Sequence, residues 1–100
     1  MENSSIRRKI VLKVGGNTNH NALKTTIVGH LSSGENKMVL LDCIGVAPNY
    51  IATKAMILVR GHLSTVGKGL EAYPIFCEIT VDNPTDSPVK TGIRWVLDLR

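Results

Sequence analysis

Aromatic side chains are scarce in this chain of 100 residues, which holds one Trp, two Tyr and one Phe. That leaves little for the base stacking on which single-strand binders depend. Cysteine is scarcer still. Cys43 and Cys77 are too few for a disulfide framework, and each sits inside an apolar run, so both read as buried, reduced thiols. No apolar stretch approaches the ~18 residues that a membrane span requires. The segment from Met1 to Lys9 is polar and then basic, without the apolar centre of a secretory leader. These absences predict a cytoplasmic protein with no membrane partner.

Signatures of catalysis and metal binding are missing too. His20, His30 and His62 have no ligand spacing to one another or to the cysteines. His30 and His62 fall near expected helix ends, where a cation suits the last carbonyls. No Ser, Thr or Cys stands in a nucleophile motif. Gly15-Gly16 before a helix could cradle a phosphate. It lacks the further glycines and the lysine of a Walker A loop or a dinucleotide fingerprint, so a turn is the first reading. Gly67-Lys68-Gly69 reads first as a mobile loop and second as an anion contact. The acidic residues Asp42, Glu71, Glu78, Asp82, Asp86 and Asp98 are scattered, with no paired carboxylates to argue for. The chain is expected to be no enzyme, to hold no metal and no cofactor, and to work by binding.

What is present is the makeup of one globular domain, 43% hydrophobic and 20% charged. Twelve Lys and Arg against eight Asp and Glu give a formal charge of +4. A pI of about 9.3 is compatible with a nucleic-acid partner. Residues 1–9 read as a flexible basic arm ending in Arg7, Arg8 and Lys9, and residues 10–100 as the domain. Lys9 to Val14 alternates and predicts a strand with Ile10, Leu12 and Val14 inward and Lys13 outward. Thr18 or Asn19 then caps a helix whose stripe is Leu23, Ile27 and Leu31. Met38 to Ile44 is a short apolar run, expected as a buried strand.

Pro48 suits the first turn of a second helix, running to about His62 with Ile51, Ala52, Ala55, Leu58 and Val59 inward. Ile75 to Val81 alternates again, with Cys77, Ile79 and Val81 on one face. A turn-rich loop from Asn83 to Pro88 leads to a last strand, Ile93 to Leu99, with Ile93, Trp95, Leu97 and Leu99 on one face. The expected fold is α/β: a two-layer β-α-β-α-β-β domain, a mixed four-stranded sheet with two helices on one face.

Leu12-Lys13-Val14, Asn21, Gly29 and Leu31, then Ile44-Gly45, Ala52, Lys54, Ala55 and Arg60-Gly61, form an ordered set. Pro74-Ile75-Phe76, Glu78 and Asp82 continue it. Across about residues 10–100 the chain resembles the stage V sporulation protein S family, within the Alba-like superfamily. The resemblance implies nucleic-acid binding, control of sporulation, and a cytoplasmic, oligomeric, cofactor-free protein. Three departures stand out. Where archaeal Alba proteins carry a lysine pair after strand one, Gly16 and Asn17 stand here. Where that branch has arginines before helix two, this chain has Ile44 and Val46. The hairpin that is often basic there reads Asp82 to Asp86 here. Because affinity for DNA rests on phosphate neutralisation, these losses lower the affinity to be expected.

Two functions fit. The first is a non-enzymatic regulator that contacts the backbone of DNA or RNA through Arg7, Arg8, Lys9, Lys13, Lys54, Arg60 and Lys68. The alternative is an oligomerising, protein-binding scaffold without nucleic-acid affinity. A helical wheel centred on Ala55 turns Tyr50 and Ile57 outward, where large apolar groups suggest a subunit contact. They predict a homodimer or homotetramer.

Overall fold

The structure, a computed structural model, describes residues 7–80 and 89–100. Burial alternates along β1 (Arg8–Val14), with Ile10, Leu12 and Val14 turned inward and Lys9, Val11 and Lys13 exposed. The chain then turns at Gly15, whose N–H donates to Thr18 Oγ1 at 2.8 Å. Asn19 caps α1 (His20–Leu31), its Oδ1 accepting the N–H groups of Asn21 and Ala22. Leu23, Ile27 and Leu31 form the buried stripe of that helix, as their four-residue spacing predicts.

The chain returns through β2 (Lys37–Cys43) to α2 (Val46–Ser64), then β3 (Leu70–Thr80) and β4 (Val89–Leu99). The strand order is β1-β2-β4-β3. The β1–β2 pair is parallel, and β2–β4 and β3–β4 are antiparallel, so the sheet is mixed. The α/β order and architecture expected from the sequence are those observed. Both helices pack against one face, closing a core around Val39, Leu41, Cys43, Leu97, Ala52 and Val59.

Several details differ from expectation. The inner face of α2 is Pro48, Ala52, Ala55, Met56, Val59 and Leu63, whereas Leu58 is 38% exposed. At ~100° per residue, Leu58 stands about 110° from the centre of that stripe, and Met56 and Leu63 take its place. The third strand starts five residues before Ile75. Pro74 hid this, but β3 is an edge strand, where a missing N–H is tolerated. Gly67-Lys68-Gly69 is no free loop. Gly67 takes φ +74°, and the N–H groups of Gly67 and Lys68 donate back to the carbonyls of Ser64 and Leu63. That is a glycine-terminated helix cap. Val81 and the turn-rich loop from Asn83 to Pro88 lie outside the described residues.

Candidate nucleic-acid interface

Three of the expected contact residues precede or open β1. Lys9 is exposed on the strand. Arg7 is tied down instead: Nη2 donates to Asp98 Oδ1 at 2.6 Å, Nη1 to the other carboxylate oxygen, and Nη2 again to the Lys37 carbonyl at 3.2 Å. This hydrogen bonding by Arg7 holds the Asp98 carboxyl below its ordinary value of 3.8. Arg8 pairs with Glu35 at 3.1 Å, and Lys37 reaches the same oxygen at 3.2 Å. The arm expected over residues 1–9 is thus structured from Arg7 onward, and two of its three cations serve the fold. Residues 1–6 lie outside the described residues.

The remaining cations are spread over the molecule. Lys13 is exposed near the end of β1, opposite Asp42 in the register. Asp42 does not pair with it. The carboxylate is 6% exposed and is held by Arg94, Nε to Oδ1 at 2.6 Å and Nη2 to Oδ2 at 2.8 Å. Lys54 projects from α2 with Nζ 5.1 Å from the centre of the Tyr50 ring, a cation–π contact. Arg60 is exposed further along the helix and Lys68 lies in the cap that follows. Lys9 and Lys13 therefore face away from the helices, while Lys54 and Arg60 stand on the helix side. The fold does not bring the seven expected residues into one patch.

Beside these cations runs an apolar face that only Tyr50 and Ile57 announced. Both are exposed, at 63% and 65%, and Val46 extends their line by a turn. Next to it lies an open groove of about 620 Å³ whose walls include Tyr50, Thr53, Ile93, Trp95 and Phe76. Phe76 is 82% exposed at its rim. Trp95 is fixed by its Nε1 donating to Asn49 Oδ1 at 3.1 Å, and Asn49 Nδ2 in turn donates to the Gly45 carbonyl at 2.8 Å. Phe76 shares the helix-side parity of Ile93 in the β3–β4 register. The alternation of β3 sets Phe76 on the face opposite Cys77 and Ile79, and the register with β4 decides that this is the face turned to the helices.

No catalytic or metal-binding arrangement emerges among the described residues. No group of three or more His, Cys, Asp or Glu side chains is gathered where a metal could sit. Burial, with the Asp42 carboxylate adding to it, pushes the Cys43 thiol up to about 11, which leaves it inert as a nucleophile near neutrality. Cys77 is only partly buried, against expectation: it lies on the edge strand β3 opposite Gly92, which has no side chain to cover it. No helix among the described residues is long and apolar enough to cross a membrane.

The family model for stage V sporulation protein S (SpoVS) matches residues 10–96. None of the curated proteins compared with the chain matches it.

Proposed function

The chain belongs to the stage V sporulation protein S family, which gives it a sporulation-related role, and from that premise we propose a cytoplasmic, non-enzymatic regulator that binds the backbone of nucleic acid. The observation that supports this reading is the pairing pattern of the cations. Arg7, Arg8, Lys37 and Arg94 are all engaged by carboxylates. Lys9, Lys13, Lys54, Arg60 and Lys68 form no ion pair among the described residues, nor do Lys24, Lys90 and Arg100, so the unpaired positive charge is shared among these eight. Among the described residues only Lys54 has an aromatic ring beside it, that of Tyr50, and contacts to phosphate position a protein on the duplex without reading its bases. Binding is therefore modest, indifferent to sequence and steeply salt-dependent.

The test is anisotropy of a labelled DNA duplex and of a single-stranded RNA at two salt concentrations. Affinity should fall steeply between them, and the double variant Lys13→Glu, Lys54→Glu should weaken binding to every sequence alike. Equal binding by the charge-reversed protein, or none by the original at low salt, sinks the reading. The groove beside Tyr50 favours the second function, a self-associating scaffold that binds protein. A contact through Tyr50 and Ile57 would persist at high salt, which separates it from a backbone contact.

A further inference from the structure

Neither helix carries an acidic side chain. Lys24, Lys54 and Arg60 stand on them without an Asp or Glu beside them in α1 or α2, and none forms an ion pair among the described residues. Asp42, Glu71 and Asp98 lie on the sheet face turned away from the helices. Glu35 is engaged by Arg8 and Lys37. Among the described carboxylates of the sheet, only Glu78 near the end of β3 shares the helix side. Large apolar side chains gather on that same side. Among the described residues, four of the five most exposed stand there: Val46, Phe76, Ile57 and Tyr50, at 87%, 82%, 65% and 63%.

Three of them form a line. At ~100° and ~1.5 Å per residue, Val46, Tyr50 and Ile57 fall within about 40° of one another and run roughly 16 Å along the crest of α2. Thr53 is the polar side chain beside them. Lys54 and Arg60 stand about 60° to either side of the line. The outer surface of α2 is therefore an apolar line with a cation on each flank and no counter-charge on the helix. The groove beside α2 is walled by Val46 and Tyr50 but not by Ile57. A peptide seated in the groove would leave Ile57 outside, whereas a flat partner covers the whole line. A nucleic acid would satisfy the two cations, but its phosphates would gain nothing from Val46 and Ile57 between them.

We propose that this face docks on an anionic phospholipid surface, with α2 lying in the plane of the interface. The proposal does not rest on the nucleic-acid reading. No described helix is long and apolar enough to cross a bilayer, but lying on one requires only an apolar face with cations beside it. Val46 and Ile57 enter the apolar margin, and the Tyr50 ring stays at the headgroup level, where amphipathic rings settle. Lys54 and Arg60 run their stems along the apolar line and bring their charges to the lipid phosphates. Phe76 adds an apolar contact across the groove. With so few apolar side chains and two cations, the contact is weak and reversible and needs both parts. While it lies on lipid, the same face can meet neither a second copy nor a nucleic acid.

Co-sedimentation with vesicles of phosphatidylcholine, alone or with about a third phosphatidylglycerol, tests it. The anionic vesicles should bind the protein about tenfold more tightly than the neutral ones. The pair Tyr50→Ser, Ile57→Ser leaves the net charge unchanged and should weaken binding about tenfold, and the pair Lys54→Gln, Arg60→Gln should do the same. The pair Lys90→Gln, Arg100→Gln removes equal charge from the opposite face of β4 and should change binding little. None of these six side chains is buried, so thermal midpoints should hold, which separates lost docking from lost fold. No binding to anionic vesicles, equal binding to both kinds, full binding by the serine pair, or an equal loss from the Lys90 and Arg100 pair would each overturn the proposal. Should the original ignore vesicles while the serine pair lowers its mass in light scattering, the line belongs to a second copy instead.

Discussion

At the scale of single residues, the division of labour among the cations is decided by which of them find a carboxylate. Arg7 and Arg94 each meet an aspartate in two-pronged geometry, Asp98 and Asp42, and so become parts of the sheet. Both pairs join residues far apart in the chain, which is why a basic run at Arg7-Arg8-Lys9 reads from the sequence as an arm. The Arg7–Asp98 pair has a consequence for acid stability. Arg7 lowers the folded-state value of Asp98 below 3.8. The stability it contributes is therefore present above that value and lost as pH falls through the lower, folded value. Thermal midpoints of the original and Asp98→Asn, taken from neutral pH down to about pH 2, should differ most at neutral pH and converge under acid. Parallel curves would show that the pair is not linked to protonation.

At the scale of elements, local periodicity carried most of the information. The stripe Leu23, Ile27, Leu31, the cap at Asn19 and the alternation in β1 and β4 were all legible because each depends on residues near in sequence. The phase of α2 was legible only in part. Leu58 is as apolar as Leu63, and the sheet decides between them. Leu63 is fully buried whereas Leu58 is 38% exposed. Leu63→Asp should unfold the domain, since an unpaired charge would enter the core. Leu58→Asp should fold with a midpoint close to the original, by circular dichroism; the reverse order would mean the helix is rotated.

Gly92 in β4 could not be recognised from the sequence at all. A Cβ there would lie 2.6 Å from the Cys43 carbonyl oxygen and 2.5 Å from Ile79 Cδ1. The Ile79 tip can turn away, but the backbone carbonyl cannot. Gly92→Ala is expected to cost about 2–3 kcal/mol in denaturant unfolding, the range of an overpacked core. A loss under about 0.5 kcal/mol, that of an ordinary surface substitution, would show that β4 relaxes freely.

At the scale of the whole molecule, the cations lie on opposite sides of a thin slab, Lys9 and Lys13 on the sheet and Lys54 and Arg60 on the helices. A duplex meeting one protomer touches only some of them. Self-association through the outer face of α2 would change this, because a two-fold axis near Tyr50 and Ile57 would set two copies of Lys54 and Arg60 side by side. Two linked sites then bind one backbone with far higher avidity than either alone. The site was legible in the sequence to the extent that α2 is regular: the wheel turned Tyr50 and Ile57 outward. The groove and Phe76 were not, since they arise where α2 meets β3 and β4.

Ile57→Lys separates electrostatics from assembly. It raises the net charge by one, so if the protein bound nucleic acid as a monomer, affinity should rise slightly and the salt dependence steepen by about one counterion. If assembly through α2 creates the basic surface, the same substitution should lower the mass in light scattering and weaken binding about tenfold despite the added charge. A rise in affinity with unchanged mass would rule out α2 as the assembling face.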